Sequence, residues 1–221
     1  NDKTGDGTET YPFATIQMAI NQIPLISSAK ITVFVDDGVY LENILVSNIS
    51  CSSFELRTRQ NVDRLDLNQV DLPVKIRSVG FIACSGYFHV YGIQAIDLAN
   101  SNLTDGSRCA FYCKLGGYLA LNKVKVSENT KSMSTFNAVY SNGNSKITLY
   151  SSHFSNQSLI AHASLMSNML FLGTNSGSNN TVGILSDSGA IVTDTSTNTA
   201  NASTRHQVSV GVVVTKGQVL S

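Results

Sequence analysis

The sequence predicts an all-β solenoid of stacked parallel strands with one short helix at its N-terminal end. Three observations carry this expectation. Only one segment has helical periodicity. Every apolar run after it is short and β-like, and Asn, Ser and Gly separate the runs. Several of those runs also align with one another without gaps, as the units of a repeat architecture do.

The helix comes first. Ile16, Ala19, Ile20 and Ile23 fall at i, i+3, i+4 and i+7, the spacing of one buried helical face. Pro12 suits a first turn, Thr10 or Tyr11 a cap, and Pro24 a stop, which predicts a helix over 12–22. Gly5 to Thr8 reads as a preceding turn. Strands follow over 31–35, 43–46, 53–57, 74–78, 81–84, 87–91 and 109–113.

The repeat is the central feature. Its five segments are Gly86–Tyr91, Gly117–Asn122, Ser145–Tyr150, Asn168–Gly173 and Gly189–Asp194. Their third position is large and apolar: Phe88, Leu119, Ile147, Leu170 and Ile191. Their fifth is Val90, Leu121, Leu149, Leu172 and Thr193. A second β-like run follows each segment, over 109–113, 136–140, 158–162, 182–185 and 207–214. A unit of ~20–30 residues cannot bury its own apolar face, so stacking must do it. A β-sandwich with fortuitous likeness between its strands is the competing fold. The expected organisation is one domain over 1–221: a capping turn and helix over 1–24, coils over 25–194, and a polar linker with a terminal strand over 195–221.

Composition narrows the function. The chain has 221 residues, 15 basic and 15 acidic, and charged residues make up only 14%. Ordinary proteins carry roughly 25%. The balance speaks against nucleic acid as a partner. No apolar run approaches the ~18 residues of a membrane helix. Beyond residue 130 the only acidic residues are Asp187 and Asp194, so the C-terminal part must be solubilised by Ser, Thr and Asn. The four cysteines, Cys51, Cys84, Cys109 and Cys113, read as buried free thiols. Cys109 and Cys113 lie too far apart along a strand to bridge, and the spacing offers no zinc site. No cofactor or metal is implied.

Residues 5–46 resemble a known family. Gly5-Asp6-Gly7-Thr8, then Pro12-Phe13-Ala14-Thr15-Ile16-Gln17-Met18-Ala19-Ile20, then Gly38-Val39-Tyr40-Leu41-Glu42 are similar to the opening of pectate-lyase-like proteins. In that superfamily a PFxTIQxAI helix caps the coils and a GxYxE turn begins them. The resemblance implies a right-handed parallel β-helix with an N-terminal capping α-helix, and a structural role for Glu42. The catalytic Gln, paired Asp and Arg-Pro-Trp signatures of pectinesterases have no counterpart, and tryptophan is absent. A pectate-lyase-type calcium cluster is not evident. The charge-poor C-terminal half with compact coils is most similar to bacteriophage tail spikes and tail fibres.

That resemblance implies a virion protein acting at the host surface. It would be a homotrimer that binds bacterial surface polysaccharide and contacts other phage tail proteins. A polysaccharide depolymerase on the same scaffold, or a structural tail shaft without glycan binding, are the alternatives. Cleavage requires carboxyl groups. Asp63 and Asp66 lie in the charged stretch Glu55 to Asp71, read as a long projecting loop, and Asp97, Asp105 and Glu128 lie in loops after the first two repeats. These five are the candidate catalytic residues. Binding draws on the other face of the repeat. If Phe88 and Val90 point inward, Tyr87, His89 and Tyr91 point outward, as do Tyr118 and Tyr150 by the same register. Such a row suits sugar binding, a trimer interface or an ordinary sheet surface.

Overall fold

The computed structural model describes residues 4–102, 108–133, 135–196, 199–216 and 218–221. It is an all-β structure of parallel, curled sheets with one short α-helix. The first sheet stacks Ile26–Val35, Ser50–Thr58, Ser85–Tyr91, Tyr118–Asn122, Lys146–Tyr150, Asn168–Leu172, Ile191–Asp194 and Val212–Thr215, every pair parallel. Strand Gln218–Leu220 closes its edge in antiparallel fashion.

The second sheet has two rows. The long row runs Gly38–Ser47, Val74–Ile82, Cys109–Lys114, Asn137–Asn142, Leu159–Ala163, Asn180–Asp187 and Ala202–Ser209, again all parallel. A short row branches from the front of Val74–Ile82 through Ile93–Ala95, Lys125–Val126 and His153–Phe154. Single bridges extend it to Ser176 and Thr199. From Ser85 onward the chain visits first sheet, short row and long row in a fixed order.

The corners repeat as well. Gly92, Lys123, Ser151 and Gly173 follow successive first-sheet strands, and all have left-handed backbones. Ala83, Leu115, Asn144, Met166, Ser188 and Val210 do the same at the corner that leads back into the first sheet. A residue with positive φ reverses the chain sharply without a long loop.

The core is a set of columns. Phe54, Phe88, Leu119, Ile147, Met169, Val192 and Val213 stack in register, and all are buried. Phe54, Phe81 and Phe88 meet at centroid distances of 5.5–6.0 Å and fill the wide N-terminal end. This register corrects the sequence alignment in two places. The inward residues of the fourth repeat are Met169 and Phe171, not Leu170 and Leu172, and those of the fifth are Val192 and Asp194, not Ile191 and Thr193. The stretch Met169 to Leu172 is apolar at every position, so alternation cannot choose a face there.

The helix spans Ile16–Asn21, shorter than expected, and Thr15 rather than Thr10 or Tyr11 caps it. The Thr15 hydroxyl accepts from Met18 N at 3.3 Å. Glu42 does the rest from the strand beneath, accepting from Ile16 N and Gln17 N at 2.9 Å each. An anion at this end satisfies unpaired N–H groups and opposes the helix dipole. The Gln17 amide pairs with both backbone groups of Leu45, at 2.7 and 3.0 Å. Ile16 and Ile20 then close the end of the core.

Other boundaries shift too. Residues 74–78 and 81–84, expected as separate strands, form the single strand Val74–Ile82. The apolar run 207–214 breaks at Val210 and supplies two different sheets. Segment 195–221, expected as a linker with one terminal strand, contributes three.

Gly86 marks a tight approach between coils. Its φ is +126°, and a Cβ there would lie 1.9 Å from the Cys51 carbonyl oxygen. Gly116 has a comparable positive φ but open space around it. Gly86→Ala should therefore cost about 3 kcal/mol in a urea titration, against about 1 for Gly116→Ala. Equal losses would show that the register at Gly86 can slide.

Candidate functional site

The outward residues of the first sheet form three rows, because alternate side chains share a face. The first reads Lys30, Ser53, Tyr87, Tyr118, Lys146; the second Thr32, Glu55, His89, Ala120, Thr148; the third Phe34, Arg57, Tyr91, Asn122, Tyr150. Tyr87, His89, Tyr91, Tyr118 and Tyr150 thus share one face, as the alternation predicts.

Contacts order this shelf. Tyr87 and Tyr118 meet edge to face at 5.4 Å. His89 lies flat on Tyr91 at 5.5 Å, and its Nδ1 is 3.1 Å from the Tyr91 hydroxyl. The Tyr118 hydroxyl donates to Thr148 Oγ1 at 3.0 Å. Tyr87 and Tyr150 are exposed, at 62% and 46%. Burial lowers the His89 pKa below its usual value and raises that of Tyr91, so at neutral pH both are uncharged. An uncharged aromatic surface with hydroxyl groups at its edges can pack on sugar C–H groups and hydrogen-bond sugar hydroxyls.

Sequence reasoning missed the charged part of this shelf. Residues 55–57 fall in both the expected strand 53–57 and the expected loop from Glu55; strand Ser50–Thr58 holds them, so Glu55 and Arg57 belong to the sheet. Lys30 pairs with Glu55 at 2.8 Å, and the Arg57 guanidinium is within 6 Å of the rings of Phe34 and Tyr91. The alternation of Phe54 and Leu56 about Glu55 was the available signal.

The loop itself begins after Thr58 and does not project. Val62 and Leu72 are buried beneath it. Lys125, only 3% exposed, donates to the carbonyls of Leu67, at 2.9 Å, and Gln69, while Lys123 reaches that of Leu65 at 3.4 Å. Lys125 of the short row and Lys123 at the corner before it thus staple the loop down. Burial lowers the Lys125 pKa, and the charges of Asp71 and Asp66 oppose that shift.

The candidate catalytic carboxylates are placed as follows. Asp63 and Asp66 are exposed on the stapled loop, and Asp66 accepts from Asn68 N at 2.9 Å. Asp97 accepts from Arg77 Nε and Nη2 at 2.8 and 2.6 Å, and from Asn100 Nδ2 at 2.6 Å. The Arg77 hydrogen bonds, followed by that of Asn100, hold its carboxyl below the usual range. Glu128 accepts from the backbone N–H groups of Asp97 and Leu98 at 2.6 and 2.9 Å, capping the short 3-10 turn Leu98–Asn100. Asp97 and Glu128 do come together, and each is taken up by contacts that shape the coil. Asp105 lies outside the described residues.

The chain matches no family model, no curated protein and no solved structure. The geometry therefore stands on its own. Among the described residues no His, Cys, Asp and Glu cluster could hold a metal ion, and no helix is long and apolar enough to cross a membrane. All four cysteines are buried.

Two histidine clusters escaped the sequence reading. His153 contacts Ser176 Oγ through Nδ1 at 3.0 Å and Ser155 Oγ through Nε2 at 2.9 Å. The second centres on Asp194, which is fully buried in the column position that Phe171, Leu149 and Leu121 fill in earlier coils. Its oxygens accept from Ser196, Thr199, Arg205 and His206, including Arg205 Nη2 at 2.9 Å and His206 Nε2 at 2.8 Å. Burial alone would raise the Asp194 pKa. The hydrogen bonds from Ser196 and His206 and the charge of Arg205 outweigh it, and the pKa falls below the ordinary 3.8.

Two expectations follow from these contacts. Lys125→Met should raise protease nicking and amide exchange across 60–71 at least tenfold while the parallel sheets keep their protection; unchanged exchange would mean the loop holds itself. A lowered carboxyl pKa gives stability that is complete above 3.8 and lost as pH falls through the folded value. Strand Ala202–Ser209 should therefore lose exchange protection on acidification in the wild type. Asp194→Asn should be weaker by about 2 kcal/mol at neutral pH, below the cost of breaking a fully buried pair because Arg205 is partly solvated, and it should lose less stability on acidification than the wild type.

Proposed function

We propose that this chain is a right-handed parallel β-helix domain of a bacteriophage tail spike or tail fibre that binds host surface polysaccharide as a homotrimer. The observation that carries the reading is the shelf of Tyr87, His89, Tyr91, Tyr118 and Tyr150 on one rigid sheet face. Aromatic side chains lose little conformational entropy on binding, and a sheet pre-organises them. The fixed order of three rows per coil, with the helix over the first, is what a β-helix requires. The resemblance at residues 5–46 supplies the β-helix part of the reading, and Glu42 and Gln17 have the structural roles that such a cap needs; the charge-poor C-terminal half with its compact coils supplies the tail-spike part. Binding is favoured over cleavage because Asp97 and Glu128 are occupied by structural partners.

The test is a panel of bacterial surface polysaccharides screened by biolayer interferometry and by size-exclusion chromatography of the polymer. One or more should bind without chain shortening. Tyr87→Ala and Tyr118→Ala should each weaken that binding at least tenfold, about 1.4 kcal/mol, with unchanged circular dichroism. Shortening of the polymer would move the reading to a depolymerase. Binding untouched by both substitutions would remove the shelf from it, and a monomer by light scattering would remove the trimer.

A further inference from the structure

The shelf carries an excess of positive charge that the tyrosines alone do not explain. We propose that it selects glycans bearing carboxylate groups, seating a carboxylate at Arg57 and Lys30 beside the tyrosine row; this rests on the glycan-binding reading above. In a chain of zero net charge, the outward rows from Lys30 to Tyr150 hold three cations, Lys30, Arg57 and Lys146, and one anion, Glu55.

Glu55 gathers these cations rather than cancelling them. Its side chain is only 12% exposed, whereas Lys30 is 59% exposed and Arg57 30%. The positive groups therefore face solvent above a recessed negative one. The carboxyl of Glu55 is raised by burial but lowered further by Lys30 and Arg57, so it stays ionised and keeps both in place. Glu55 is a positioning residue.

Arg57 is held ready for a ligand. Its guanidinium carbon lies 5.8 Å from the Phe34 ring centre and 5.5 Å from that of Tyr91. Its one hydrogen bond among the described residues is a 3.4 Å contact to Glu55, longer than a strong charge-assisted bond. Aromatic rings fix its plane without using its donors, and a planar guanidinium matches a carboxylate in bidentate fashion. Asp36, the nearest acid beyond the strand end, is taken up by Arg59 at 2.6 Å and does not compete. Lys146 extends the positive strip past Tyr118, one strand spacing away. A polymer with a regular series of acidic sugars complements such a strip.

The experiment uses the whole chain and three polymers: hyaluronan, polysialic acid and alginate, each offered as prepared and after chemical reduction of its carboxyl groups to alcohols. Neutral dextran and galactan complete the set. At least one acidic polymer should bind, and reduction should weaken it at least tenfold. Arg57→Gln should weaken the acidic form by a similar factor and leave the reduced form unchanged. Lys30→Gln, at an exposed position where folding is not at stake, should act in the same direction. Tyr87→Ala should weaken both forms. Equal affinity for native and reduced polymer, or binding of neutral polymers alone, would overturn charge selection while glycan binding stands. No binding to any polymer would overturn both.

Discussion

Everything in this molecule depends on the register of its parallel strands. Each backbone row hydrogen-bonds to the next, so a residue stacks on the residue of equal rank in the neighbouring coil. A shift of one position would exchange core and surface along an entire strand. The apolar column from Phe54 to Val213 exists because the one-residue bulges of the first sheet, between Ser27 and Lys30 and between Ser50 and Ser53, come before it and the register then holds. The same constraint builds the shelf, since Tyr87 meets Tyr118 through pairing alone. Coils can differ in length because the extra residues leave at the corners, as residues 59–73 do, and return to the same rank.

Much of this was legible, and the failures have physical causes. Strict alternation gave the inward and outward faces of Ser85–Tyr91, Tyr118–Asn122 and Lys146–Tyr150. Where both faces are apolar, at Met169 to Leu172, alternation carries no information and the reading slipped. The short row was invisible because strands of two or three residues have no period. Glu55 and Arg57 fell inside the expected strand 53–57 yet were grouped with the charged loop after it, because charge density there outweighed the flanking Phe54 and Leu56. Asp194 was unreadable as a core residue, because nothing local announces that Arg205 and His206 will return to meet it. The helix was found from its periodicity, but its length was overestimated because Glu42, distant in sequence, does the work of a local cap.

The low charge content also has a structural account. Buried polar groups need partners, and here Asn, Ser and Gln supply them between coils. Ser152 N donates to Asn175 Oδ1 at 3.0 Å, and Asn180 Nδ2 to the carbonyls of Phe154 and Ala200, at 2.7 Å each. Ser145 Oγ bonds the carbonyls of Cys113 and Asn142, at 2.8 Å each. Neutral amides and hydroxyls fit a repeating corner better than charges, which would stack like on like at a spacing of ~4.8 Å. Composition and architecture are the same fact seen at two scales.

The sealed thiols have a practical consequence. All four cysteines are buried, and burial pushes Cys113 up to about 12, so its reactive thiolate is scarce at neutral pH. Alkylating reagents meet these sulfurs only when a coil opens. Cys51 lies near the start of a first-sheet strand, Cys84 at the corner that enters the next one, and Cys109 and Cys113 in the single long-row strand Cys109–Lys114. The modification rates of Cys51, Cys84 and the two cysteines of strand Cys109–Lys114 therefore clock the opening of three successive coils, and the protein carries an unfolding stopwatch in its own side chains.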